Sequence, residues 1–163
     1  MLERKRVLLG VTGGIAAYKA VEIASRLCKR RAEVNVVMTA SATKFVTPLT
    51  FRSITSRPVY TDMFEEPKVW NVEHIALAKW ADVVLLAPAT ANIMAKMAVG
   101  LADDFLSTVL LAVTSPVFIA PAMNHAMYHH PATQKNRAIL EQRGVRFIGP
   151  ATGYQACGTE GDG

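Results

Sequence analysis

Cysteine is scarce in this sequence: Cys28 and Cys157 are the only two in 163 residues. Two cysteines cannot build the disulfide framework of a small secreted domain, so the core has to come from apolar packing, and a reducing, cytoplasmic setting is expected. Charged side chains make up 19 % and aromatics 7 %. No apolar run approaches the ~18 residues that span a bilayer. The opening MLERKRVLLGVTGG is charged and then turns to glycine, and its apolar stretch is too short for a signal peptide. Internal repeats and low-complexity linkers are missing as well. The sequence does have a 51 % apolar fraction, which excludes intrinsic disorder. Its length suits one domain, and a chain of this size buries roughly 70 % of its unfolded surface.

The net charge is +5, which favours anionic partners in general. The densest basic cluster, Arg26, Lys29, Arg30 and Arg31, falls near the end of the first expected helix, where cations complement the helix dipole. No aromatic residues interleave with it, so a nucleic-acid footprint is not expected, nor a membrane partner.

Short apolar runs alternate with helical stretches along the chain. Strands are expected at Val7–Val11, Glu33–Met38, Asp82–Ala87, Val117–Ala120 and Val145–Ile148. Helices are expected at Ile15–Arg31, Asn92–Val99, Asp103–Val113 and Pro131–Arg143. The segment from Ser56 to Lys79, with Pro58, Pro67, Trp70 and His74, reads as a long loop with short elements. Strands that are apolar throughout and separated by helices imply a parallel sheet covered on both faces. The expected fold is therefore α/β: a three-layer, doubly wound parallel sheet of flavodoxin or Rossmann type. Such sheets bind ligands at the carboxyl ends of the strands, at the topological switch point.

The loops at those ends are rich in small and polar residues. Gly13-Gly14 lies between the first strand and first helix; glycine lets backbone amides approach an anion and the helix N-terminus favours it. Gly10-x-x-Gly13-Gly14 departs from the dinucleotide fingerprint, and the second strand ends on Thr39, Ser41 and Thr43 rather than on an acid for a ribose diol. Hydroxyls there suit a phosphate monoester, which favours a mononucleotide such as FMN over NAD; a tight turn with a Ser/Thr cap is the plainer alternative. Thr90 and Asn92 in PATAN could hydrogen-bond the edge of a flat ring, and Thr90 could equally cap the next helix. Asn124 in PAMN can donate and accept, which suits a carboxylate or amide, or again a cap. Met123 and Met127 fit a core.

Among titratable groups, His74 could serve as a general base near neutral pH. His125 and His129 are four apart, on one face of a helix, without a third ligand for a metal; a structural or solvent role is expected for them and for His130. Cys28 falls in an apolar helical stripe and should be buried. Cys157, between Ala156 and Gly158 in a polar, glycine-rich stretch, is poorly explained by packing and could protonate or attack a reactive species.

The motifs VTGGIAAYK, Glu73-His74-Ile75, PATAN, PAMNHAM and YQACGTEGDG occur in that order. Together they resemble the homo-oligomeric flavin-containing cysteine decarboxylases, in particular the phosphopantothenoylcysteine decarboxylase branch found at the N-terminus of a bifunctional coenzyme A biosynthesis protein. The resemblance spans essentially the whole chain. It implies FMN as cofactor and conversion of 4′-phosphopantothenoylcysteine to 4′-phosphopantetheine and carbon dioxide, by oxidation on the thiol side, decarboxylation and re-reduction of an enethiol. It places the FMN phosphate on Gly13, Gly14 and Ile15 with Thr39 and Ser41. Thr90, Ala91 and Asn92 would line the flavin, and Ala122 would approach it by backbone. Asn124 would hold the substrate carboxylate. His74 would serve the oxidative half-reaction and Cys157 would give a proton in the reductive one. Gln155 and Ala156 would sit in a flap, residues 150–163, that closes over the substrate. The family's flavin site lies between subunits of a homotrimer, and trimers can assemble into a dodecamer.

Two departures accompany the resemblance. Tyr128 stands where the motif PxMNxxMW carries tryptophan. The chain also stops at Gly163, inside the flap, so a fragment of a longer protein is expected, one that lacks the ligase domain of the bifunctional relatives. Within the same fold, a lantibiotic-type peptidyl-cysteine decarboxylase is the nearest alternative, disfavoured by Ala156-Cys157-Gly158; a prenyl-transferring flavin relative would not need Cys157. A non-catalytic flavin-binding regulator is disfavoured by the presence of His74, Asn124 and Cys157 together.

Overall fold

The computed structural model describes residues 2–64, 73–158 and 160–162. The strands are β1 (Arg6–Val11), β2 (Glu33–Met38), β3 (Val59–Tyr60), β4 (Val83–Ala89), β5 (Val117–Pro121) and β6 (Arg146–Phe147), followed by β7 (Thr152–Tyr154) and β8 (Glu160–Asp162). The helices are α1 (Ala17–Lys29), α2 (Pro48–Thr55), α3 (Glu73–Trp80), α4 (Ala91–Val99), α5 (Phe105–Ala112), α6 (His125–His129) and α7 (Pro131–Gln142), with a 3-10 turn at Ala42–Lys44. No helix among the described residues is long and apolar enough to cross a membrane.

Six strands form one sheet in the order β3-β2-β1-β4-β5-β6, and every neighbouring pair in it is parallel. The chain winds outward from β1 to β3, crosses back through α3, and winds the other way from β4 to β6. The point of reversal lies between β1 and β4. Alternate residues of β1 feed two cores. Val7, Leu9 and Val11 pack with Ala17, Ala20 and Ala24 of α1 and Phe51 of α2. Leu8 packs with Leu86 and Ile119 against Ile93 and Met94 of α4, Leu106 of α5 and Leu140 of α7. Burial on both sides is why these strands read as continuous apolar runs rather than alternating ones. Beyond β4 the cover is uneven: Leu85, Phe118 and Ala120, on the face opposite α4 and α5, stay half-buried, and the Arg146 guanidinium lies 5.5 Å over the Phe118 ring.

Several boundaries differ from the sequence expectation. Helix α1 begins at Ala17 rather than Ile15, because Gly14 to Ala16 form a turn with no side-chain cap. Strand β4 starts at Val83 and runs on through Pro88 to Ala89; parallel pairing with β5 slips between Leu86 and Ala89, and this irregularity accommodates the proline. The last strand of the main sheet shrinks from Val145–Ile148 to Arg146–Phe147. Helix α2 was not expected; Pro48 opens it and the left-handed Ser56 ends it. The segment expected as a loop holds β3 and α3. Positions 65–72, which include Pro67 and Trp70, lie outside the described residues. The glycine-rich flap contains an antiparallel hairpin of β7 and β8.

Two interactions tie the centre of the sheet together. At the carboxyl edge, the Thr12 side chain is buried; its hydroxyl donates to the Pro88 carbonyl at 2.6 Å and accepts from the Thr90 amide at 3.1 Å. At the amino edge, Asp82 accepts from the Arg6 amide at 2.9 Å and from its guanidinium at 2.7 Å. The Arg6 hydrogen bonds hold the Asp82 carboxyl down at about 2, against a usual 3.8.

Replacing Thr12 by valine keeps the volume, strands the Thr90 amide and leaves the Pro88 carbonyl only the long main-chain bond from residue 12 at 3.4 Å, so urea unfolding is expected to show a loss of about 1–3 kcal/mol. A depressed carboxylate stabilises the fold above its unfolded pKa and stops doing so as pH falls through the folded value. Asp82 therefore supports the fold above pH ~4 and loses that effect toward pH ~2. In acid titrations followed by circular dichroism, Asp82→Asn is expected to remove this part of the pH dependence.

Candidate active site

The first wall of the crevice at the β1–β4 reversal comes from the loops after β1 and β2. A Cβ at Gly13 would fall 2.3 Å from Ser41 Cβ, so only glycine lets these loops touch. Among the described residues, the amides of Gly13, Gly14 and Ile15 have no intramolecular acceptor, and the first turn of α1 carries neither acid nor side-chain cap. That is an anion-binding arrangement at a helix of thirteen residues. Ile15 is 60 % exposed beside it. The Thr39 hydroxyl accepts from the Ala42 amide at 3.2 Å and its own amide donates to the Val11 carbonyl at 3.1 Å. Thr39 thus shapes the loop, while Ser41 presents an exposed hydroxyl.

The second wall comes from β4 and α4. Thr90 is the N-cap of α4, accepting from the Ile93 amide at 3.3 Å. Ala91 follows half-buried and Asn92 is exposed. The Ala122 amide donates to the Ala89 carbonyl at 3.0 Å, so it pins the loop after β5 to the end of β4 and is committed within the fold.

The third element is the contact between α6 and the flap. Asn124 caps α6, its Oδ1 accepting from the Ala126 amide at 2.9 Å. Its Nδ2 donates to Cys157 Sγ and to Gln155 Oε1, both at 3.4 Å. Gln155 Oε1 also accepts from the His125 amide at 3.2 Å and from Cys157 Sγ at 3.7 Å. Ala156 and Cys157 are exposed, at the tip of a turn closed by the Gly158 amide donating to the Gln155 carbonyl at 2.9 Å. The structure thus brings Asn124, Gln155 and Cys157 into one cluster. His74 joins the same edge by topology: a crossover helix runs against the strands, so the start of α3 comes to their carboxyl ends. Its side chain is half-buried, and no hydrogen bond of the described residues links it to the other three.

The remaining singled-out residues are structural. The rings of His125 and His129 lie 4.3 Å apart, and no group of three potential metal ligands occurs among the described residues. His130 caps α7 through the Ala132 amide at 3.1 Å. Cys28 packs half-buried on the α1 core, and burial pushes its thiol upward. Met123 packs on the core, but Met127 is 51 % exposed and is no core residue. Tyr128 is buried; its hydroxyl accepts from Arg137, and its carbonyl accepts from Gln134 at 2.7 Å. It fills the place of an indole with a polar-tipped ring. Sequence reasoning passed over Thr12, although a threonine directly after an apolar strand was a visible signal. A cavity of about 490 Å³ opens at the opposite edge of the sheet, lined by Met97, Leu110, Val117 and Arg143 among others, and contains none of the residues named above as site candidates.

Known proteins share this sequence and fold along the chain. The chain is 52 % identical over its whole length to the coenzyme A biosynthesis bifunctional protein CoaBC of Bacillus subtilis (strain 168), of which it covers 40 %. The chain therefore spans about two fifths of the length of that relative. Among solved structures, the FMN-dependent cysteine decarboxylase SpaF superposes with a TM-score of 0.88 at 36 % identity, covering 99 % of this chain and 92 % of SpaF. A cysteine-to-serine mutant of PPC decarboxylase, complexed with pantothenoylaminoethenethiol, superposes with a TM-score of 0.85 at 34 % identity, covering 99 % and 90 %. The sequence profile of the Flavoprotein family matches residues 1–163, and with fold and sequence in accord over that span the chain belongs to this family.

Proposed function

We propose that this chain binds FMN in the crevice between β1 and β4 and decarboxylates 4′-phosphopantothenoylcysteine to 4′-phosphopantetheine. The observation that carries the reading is the Cys157 thiol held 3.4 Å from the Asn124 amide, on the same edge of the sheet as a loop built to receive phosphate. The donor set fits FMN: unpartnered amides at the start of α1 and the Ser41 hydroxyl suit a monoester, and β2 ends without an acid that would select a ribose diol. The similarity to a PPC decarboxylase bound to pantothenoylaminoethenethiol supports the same substrate class.

The net reaction replaces a carbon–carboxylate bond by a carbon–hydrogen bond and consumes one proton. FMN, when bound, supplies reversible two-electron chemistry that lets carbon dioxide leave. Gly13, Gly14, Ile15 and Ser41 hold its phosphate, with Thr39 bracing their loop; Thr90, Ala91 and Asn92 border the ring, and Ala122 fixes the neighbouring loop. Asn124 keeps a donor free of its capping role and orients the substrate carboxylate. His74 takes the proton in the oxidative half, and Cys157 returns one in the reductive half. Gln155 and Ala156 belong to the flap above the substrate. Residues 1–163 form the decarboxylase unit.

The same proposal includes a homotrimer, assembling further into a dodecamer. Ile15, Tyr18, Phe45 and Leu49 are each at least half exposed around the phosphate loop, an apolar surface that a neighbouring subunit would cover. It also includes a cytoplasmic location, where an exposed thiol such as Cys157 stays reduced.

Purified protein reconstituted with FMN is expected to show a bound-flavin visible spectrum that survives gel filtration; a colourless protein would end the cofactor assignment. In air, where dioxygen can reoxidise the flavin, Cys157→Ser is expected to release carbon dioxide yet form about a hundredfold less 4′-phosphopantetheine, with the oxidised aminoenethiol accumulating instead, as read by mass spectrometry.

A further inference from the structure

We propose that Gln155 is a positioning residue: its side-chain carbonyl ties the flap to the start of α6 and holds the Cys157 thiol beside Asn124. The inference rests on the functional reading above, from which the proton-donor role of Cys157 comes.

Three donors meet on Gln155 Oε1: the His125 amide at 3.2 Å, Asn124 Nδ2 at 3.4 Å and Cys157 Sγ at 3.7 Å. An amide oxygen has two lone pairs, so it is fully committed within the protein. The main-chain carbonyl of the same residue accepts from the Gly158 amide at 2.9 Å, closing the turn that carries Ala156 and Cys157. One residue therefore shapes the loop bearing the thiol and anchors that loop to the helix bearing Asn124. The other arm of the hairpin supplies an independent contact. A Cβ at Gly161 would fall 2.9 Å from His125 Nδ1 and 3.0 Å from His125 Cβ; a glycine lets β8 lie against α6. Both arms converge on His125, one through its amide and one through its ring.

This arrangement changes what Gln155 is for. The three contacts that join Gln155 to Asn124, His125 and Cys157 all use its side-chain oxygen as acceptor, so glutamate should replace it there and leucine should not. The thiol needs two things for proton delivery: an anchor that keeps the sulfur in place until the S–H swings from Gln155 Oε1 to the substrate, and the Asn124 N–H, which stabilises sulfur once the proton has left. Gln155 supplies the first and sets the distance to the second.

The test uses the FMN-loaded enzyme with 4′-phosphopantothenoylcysteine in air, where dioxygen reoxidises the reduced flavin that each released aminoenethiol leaves behind. Gln155→Leu is expected to raise the share of oxidised aminoenethiol among the products about tenfold with little change in KM, and Gln155→Glu to restore the parental share. In a Cys157→Ser background, Gln155→Leu is expected to add nothing, because it acts through the thiol. A readout independent of turnover is alkylation of Cys157 by iodoacetamide in a Cys28→Ser background, followed by intact mass. Gln155→Leu and Gly161→Ala are each expected to speed it about threefold by loosening the flap. Parental product share and parental alkylation in Gln155→Leu would overturn the proposal, as would a higher KM with an unchanged product share, which marks a substrate contact. Normal turnover by Cys157→Ser would instead remove the functional reading, and the alkylation comparison would still decide whether Gln155 holds the flap.

Discussion

The hydroxyl of Thr12 is the point on which the rest of this molecule hangs. It joins the last residue before the phosphate loop to the end of β4, donating to Pro88 and accepting from the Thr90 amide. A parallel sheet that winds both ways must part its loops at the reversal, and the gap becomes the ligand crevice. The gap is useful only if its two lips keep a fixed separation. Thr12 fixes it from inside, where water cannot compete. Thr90 inherits that position and in turn starts α4. The Ala122 amide repeats the device one strand further on, so the loops after β1, β4 and β5 form one connected rim.

Much of the fold was legible because burial on both faces leaves a strong mark. Val7–Val11 and Glu33–Met38 read as strands since most of their side chains meet one of two cores, and Val117–Ala120 stays apolar although its second face is only half covered. The elements that escaped notice lacked such a mark. Helix α2 has eight residues and fully buries one of them, Phe51, so its stripe is short. Strand β3 has two residues, too few for any period. The run of β4 past Pro88 was hidden because proline ordinarily ends a strand, and here the pairing slips around it.

The site was legible in composition and less so in use. Small and polar residues after each strand fall at the carboxyl edge of the sheet. They could not say which atoms were already committed. Thr90 and Asn124 were ambiguous between cap and ligand contact, and the structure gives each of them the cap. Asn124 alone keeps a second, differently directed group. The grouping of Asn124 with Gln155 and Cys157, both more than thirty positions away, depends on how the hairpin lands on α6, which no local pattern encodes. Met127 shows the opposite error: a four-residue spacing suggested a core contact, but a five-residue helix turns it outward.

The dual duty of the capping residues has an evolutionary consequence. At Asn124, one oxygen holds a helix and one nitrogen faces the Cys157 thiol. Aspartate would preserve the helix and lose the nitrogen; serine or threonine would also cap while presenting a different group. Stability alone therefore cannot keep asparagine in place, because several residues satisfy the helix equally. A lineage that lost the chemistry would drift at this position without unfolding, and one that kept it would not.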